Sequence, residues 1–221
     1  MTLEDLIARY RTDANDKVMP YFCTDSEVTA WINDAVNEAC LRGRLIHESS
    51  DDDIIKIAVI ANTSVYQLHA ALYELDYVSF ALPDEESSPV KLVSREWLDD
   101  NVSNWRYMTG DPEFGIQSDK SIRLVPKPEN NGTLIMEGYR LPTAPLVDPT
   151  DEPEINPEHH RHLINWALHK GFSMPDAEFF DAKRAAEAEE KFNKYFGLRP
   201  DYDMRRKVRE DEVQHVVAFM P

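Results

Sequence analysis

The side chains best suited to chemistry in this sequence lie in one short stretch: Glu158, His159, His160, His162 and, further along, His169. His159 and His162 are three apart and His162 and His169 seven apart, so one helix face would present two or three imidazoles. Such a face could bind a divalent cation and, with an open ligand position, activate water for hydrolysis. The spacing argues against this. A catalytic zinc helix carries histidines four apart with an interposed Glu, whereas the run here reads Glu-His-His-Arg-His. Arg161 would also set a positive charge beside any metal. The expectation is a polar helix start with no metal and no cofactor. A metal-dependent hydrolase using His159, His162 and His169 is the enzyme alternative.

Other catalytic patterns are missing from the sequence. The seven glycines form no phosphate-cradling cluster, no Gly-x-Ser-x-Gly elbow occurs, and neither cysteine has a nearby His to activate it. Paired acids such as Asp99 and Asp100 carry no signal among 41 Asp and Glu residues. The sequence therefore reads as a non-enzyme.

Lys and Arg number 24, which leaves a formal charge of −17. That surface repels phosphate, so tight binding to nucleic acid or to anionic lipid is disfavoured. A negative wall also lets DNA pass without sticking, although acidity of this kind equally serves solubility. An acidic mimic of DNA is a further class, but the acids are scattered with basic residues among them. Hydrophobic residues make up 42%, enough for a packed interior. No run approaches the ~18 apolar residues of a membrane span, and Glu4 and Asp5 make residues 1–10 unlike a secretory signal. Cys23 and Cys40 flank a predicted helix at a separation of about 25 Å, out of disulfide reach, so two free buried thiols are expected. Trp97, Trp105, Tyr107 and Phe114 cluster around Gly110 and Pro112 with Asp99, Asp100, Asp111 and Glu113 beside them. Packing inside a β domain or an inter-subunit contact suits them better than base stacking.

The elements that must position these residues follow from periodicity. Leu3, Leu6, Ile7 and Tyr10 make a helical stripe over residues 3–14, and Pro20 enforces a break. Thr24 and Glu27 form a capping box ahead of Val28, Trp31, Ile32, Ala35, Val36, Ala39 and Cys40, with Gly43 as the stop. Asp51, Asp52 and Asp53 read as an acidic turn. β-favouring runs follow at 54–60, 65–68, 73–82, 90–93, 116–125 and 133–141, with a short helix at 95–101. The last two runs alternate as half-buried antiparallel strands, and Pro126, Pro128, Asn130, Asn131 and Gly132 between them predict a hairpin loop. Helices return with Asn156 as cap and Pro157 at the first position, then from Asp181 to a stop at Gly197. The expected fold is α+β: a helical bundle from residues 1–48 and 148–198, an inserted antiparallel β domain at 49–147, and an extended C-terminal arm at 199–221. The arm ends in uncharged apolar residues that need somewhere to dock, so Arg205, Arg206, Val213, Val216, Val217, Phe219 and Met220 are the candidate partner-binding residues.

The segments LEDLIARYRTDAND, TDSEVTAWINDAVNEACLRGRLI, VKLVSREWLDDNVSNWRYMTGDPEFG, IRLVPKPENNGTLIMEGYRLP, EINPEHHRHLINWALHKGF and DAKRAAEAEEKFNKYFG follow in this order. In that succession the chain resembles the head–tail connector proteins of tailed bacteriophages, also called adaptor or head-completion proteins. The resemblance covers residues 3–197. It implies a structural virion protein at the head–tail interface, made in the host cytoplasm. It further implies a homo-oligomeric ring, usually twelve-fold, between the portal protein and the tail or nozzle protein. DNA would pass through the lumen without specific binding, no membrane would be involved, and the C-terminal arm would reach onto the portal. No catalytic residues carry over. A tail-tube or nozzle subunit is the other version within this class.

Overall fold

The computed structural model describes residues 1–175 and 179–200 of the 221-residue chain. The fold is α+β and divides into two units. The first comprises residues 1–48, 71–74 and 139–199; the described part of the second comprises 49–70, 75–138 and Pro200.

The first unit is built on four helices: α1 (Leu3–Ala14), α2 (Asp25–Gly43), α5 (Pro157–Phe172) and α6 (Ala182–Phe196). Their starts are set by side-chain caps that accept the first free backbone N–H groups. Thr2 and Asp5 form a capping box on α1, and Thr24 and Glu27 form the expected one on α2. Asn156 accepts from Glu158 N with Pro157 inside the first turn of α5, and Asp181 accepts from Lys183 N and Arg184 N on α6. At the end of α2 the left-handed residue is Arg44, one position beyond the predicted stop at Gly43.

Helix α5 packs against α1, α2 and α6 and divides the interior into two apolar clusters. Leu3, Leu6, Tyr10, Val28, Ile32, Ile164 and Phe172 meet on one side, and Val36, Ala39, Cys40, Leu163, Trp166, Phe192 and Phe196 on the other. Each fully buried Leu, Ile or Phe contributes about 2–3 kcal/mol by removal from water. Both cysteines are free and buried, as expected from their spacing. Burial pushes the Cys40 thiol up to about 12.

Two ion networks hold the connections around these helices. Arg140, 8% exposed, donates from Nε to Glu48 Oε2 at 2.8 Å and from its terminal nitrogen to Glu154. Arg11 reaches both Asp16 and Asp25, and Asp16 also accepts from Phe22 N at 3.0 Å, which fixes the α1–α2 connection.

The second unit holds most of the β structure. The strands are β1 (His47–Glu48), β2 (Lys56–Val59), β3 (Val65–Gln67), β4 (Leu72–Ala81), β5 (Ser88–Pro89), β6 (Lys91–Leu92), β7 (Phe114–Gln117), β8 (Ser121–Val125) and β9 (Gly132–Arg140). One sheet runs β1-β9-β4-β5 with β2 also on β9, and the other runs β3-β8-β7-β6. Strands β4 and β9 continue from one unit into the other. Pairings β2–β9, β3–β8, β4–β5 and β7–β8 are antiparallel, whereas β6–β7 is parallel.

Three local expectations change. The run 116–125 is two strands, because Ser118, Asp119 and Lys120 turn the chain and Ser118 N bonds Ser121 O at 2.7 Å. The run 54–60 begins in a helical turn, α3 (Asp52–Ile55), capped by Asp51 accepting from Asp53 N. The segment 126–132 is not a hairpin loop. Strands β8 and β9 belong to different sheets, and the loop between them is held by Asn62 N donating to Pro128 O at 2.7 Å and Ala61 N to Asn131 Oδ1 at 2.8 Å. Alternation reveals a half-buried strand but not which sheet it joins. The short helix is α4 (Arg95–Asn101), with Ser94 as cap.

Candidate interaction groove

The histidines of α5 do come to one face, and that face is turned to α6. His159 Nδ1 lies 3.1 Å from Tyr195 Oη. The His162 ring stacks on Tyr195 at 3.5 Å between centroids and 10° between planes. His169 donates from Nδ1 to Ala185 O at 3.1 Å. His160 points elsewhere, buried with Nε2 3.0 Å from Ile155 O. The imidazoles are thus spent on helix packing, and among the described residues no group of His, Cys, Asp and Glu is arranged to hold a metal ion. Burial, then the charge of Arg161, lowers the His162 pKa.

Beside this stack a groove of about 520 Å³ opens along α5. Its floor is Arg161, His162, Ile164 and Asn165; Arg9 and Asp13 of α1 form one wall and Lys191, Lys194 and Tyr195 of α6 the other. The helical repeat explains the arrangement. Lys191 and Lys194 are three apart and Tyr195 four beyond Lys191, so they share one side of α6 while Phe192 and Phe196 turn inward. Arg9 is neutralised by Asp13 at 3.0 Å. Arg161, Lys191 and Lys194 form no ion pair with a described residue. On a chain of −17 this is a concentrated positive site with an apolar lining from the Tyr195 ring and the lysine stems, over the buried Ile164.

A smaller pocket of about 200 Å³ lies in the second unit, lined by Ser64, Trp105, Arg106, Tyr107, Met108, Arg123 and Lys127 among others. Trp105 is buried with Val93, Leu98, Ile116 and Val125, and its indole N–H donates to Asp99 at 2.9 Å. Trp97 packs on Phe114 at 5.4 Å, so three of the four clustered aromatics serve the core, while Tyr107 stays 86% exposed. The acids neighbouring Trp105 in sequence are not all of its surroundings. Arg106 and Arg123 sit over its ring at 4.2 and 5.5 Å, and Asp99 is paired with Arg106.

Spacing in the sequence draws attention to His159, His162 and His169 and gives Arg161 only as a charge beside a metal; it does not single out Arg9, Lys191 and Lys194, which line the groove with Tyr195. The available signal was the Lys-x-x-Lys-Tyr spacing on a strongly amphipathic helix in an acidic chain. The arm residues Arg205, Arg206, Val213, Val216, Val217, Phe219 and Met220 lie outside the described residues. Among the described residues no helix is long and apolar enough to cross a membrane.

The histidines of α5 are engaged in packing, and the groove beside them is open and lined by cations. The chain belongs to the SU10 adaptor protein family, whose model matches residues 1–215. This is a family of phage head–tail adaptors, so the chain is a phage structural adaptor protein. A search of the curated proteins finds no match.

Proposed function

We propose that this protein forms a closed ring, twelve-fold by the family resemblance, that sits between the portal protein and the tail or nozzle protein of the virion and conducts DNA through its lumen. The observation that carries this reading is the adaptor family match across residues 1–215. The charge of −17 supports the conduit role, because a ring of such subunits repels the phosphate backbone at close range. Like-charged subunits can share a ring only if cations of one meet acids of the next, and the groove supplies such cations. Residues Arg205, Arg206, Val213, Val216, Val217, Phe219 and Met220 are then the arm by which a subunit holds another protein chain.

Electron microscopy of the purified chain mixed with portal rings tests the proposal. The expected result is a second ring on one face of the portal. Monomers that leave the portal bare would overturn it. Rings that bind the tail protein but not the portal would move the chain to the nozzle position.

A further inference from the structure

The α1–α5–α6 groove is a charged and apolar site whose complement is present in the same sequence. Residues 210–220 read Glu-Asp-Glu-Val-Gln-His-Val-Val-Ala-Phe-Met. Three consecutive carboxylates precede a run that is apolar apart from Gln214 and His215, which matches three cations that form no ion pair with a described residue, beside an apolar lining. We infer that the groove of one subunit receives residues 210–220 of a neighbouring copy, with Glu210, Asp211 and Glu212 meeting Arg161, Lys191 and Lys194 and the apolar run covering the half-exposed Tyr195 ring.

Three physical arguments select this occupant. The first is charge. A phosphate ligand would satisfy the cations but leave the apolar lining wet, whereas an acidic segment with an apolar continuation satisfies both. The second is reach. Nine residues lie between Pro200 and Glu210, and the ten steps they make span at most about 36 Å when extended, on the scale of a small domain. The third is symmetry. A segment-to-groove contact joins two different surfaces, so it is heterologous and closes into a ring when the rotation permits. An interface of this kind fits ring assembly, and the inference rests on the ring reading above.

The test uses full-length chains with complementary charge reversals. One carries Lys191→Glu and Lys194→Glu; the other carries Glu210→Lys, Asp211→Lys and Glu212→Lys. Each alone should lose at least about tenfold in self-association by sedimentation velocity, the equivalent of about 1.4 kcal/mol. An equimolar mixture should recover assembly, because each reversed segment then finds a reversed groove on another copy. A photoreactive phenylalanine analogue in place of Tyr195, in a mixture of isotope-labelled and unlabelled chains, should cross-link to residues 210–220 of a different copy. Cross-links confined to a single copy, or a mixture that stays dissociated, overturn the inference. Rings that withstand both reversals while losing the portal give the segment to the portal instead and also overturn it. These outcomes leave the ring reading standing. A wild-type chain that never self-associates, with or without portal, refutes that reading itself.

Discussion

Gly171 lies in the last turn of α5, at the junction with α1 and α2, and Ala in its place decides between two opposing effects. A Cβ there would collide with the Tyr10 hydroxyl and come within 3.3 Å of Trp31 Cζ3. Replacing a helical glycine by alanine ordinarily gains about 0.5–1 kcal/mol by restricting the unfolded chain. Overpacking a tight core costs about 1–3 kcal/mol. Tyr10 is fully buried and its hydroxyl is held against Cys23 Sγ at 3.5 Å, so the ring has little room to retreat. The clash should therefore win, and Gly171→Ala should destabilise the protein by about 1–2 kcal/mol. Tyr10→Phe removes the colliding oxygen and leaves Cζ at the tolerable 3.4 Å, at the expense of one weak bond to sulfur. Tyr10→Phe alone should cost no more than about 1 kcal/mol. In the double variant the glycine effect should reverse sign, giving a coupling of about 2 kcal/mol. Urea denaturation followed by circular dichroism on all four chains measures the cycle. Additive effects would show that α1 shifts to make space and that the junction is not tightly determined.

Arg140→Met takes away the cation shared by Glu48 and Glu154 and should cost about 3 kcal/mol in urea unfolding, most of it recovered when Glu48→Gln is added. Thr24→Ala should cost about 1 kcal/mol through loss of the capping box. In the wild type the Thr24 backbone N–H, then its hydroxyl, holds the Glu27 carboxyl below its ordinary range. Its stabilisation is thus full above the unfolded value and fades as pH falls through the folded one; in Thr24→Ala its NMR titration should move up. His162 is depressed by burial, so the unfolded chain takes up the proton first and stability falls as pH drops below the ordinary histidine value. His162→Gln should flatten that part of the stability–pH curve, and an unchanged curve would remove His162 as its source. Metal analysis of the purified protein should find less than stoichiometric zinc, since His159, His162 and His169 are engaged with α6.

Much of the helical unit was legible because its signals are local. Thr24 with Glu27, Asn156 with Pro157, and Asp181 each announce a helix start through bonds made within three residues, and the apolar stripes then say which face is buried. The β structure was less legible because pairing is non-local. Nothing within 116–141 tells β8 to join β3 while β9 joins β2 and β4, since that choice depends on strands up to about 80 residues away. The groove was hidden for the same reason. Arg161, Lys191 and Lys194 are ordinary surface cations until α5 and α6 bring them together, and the histidines that drew attention turned out to be the packing that aligns those helices.

The central place of α5 bears on how the protein is made. Helices α1 and α2 leave the ribosome early, but the helix on which their apolar faces close begins at Pro157, more than a hundred residues later. At bacterial elongation speeds the wait is roughly 5–20 s, during which Leu6, Ile32 and Val36 lack their final cover. A chain whose translation stops in the β segment can never complete the helical unit. Such fragments should fall to proteases and be kept out of the growing particle, so the topology itself screens for finished subunits.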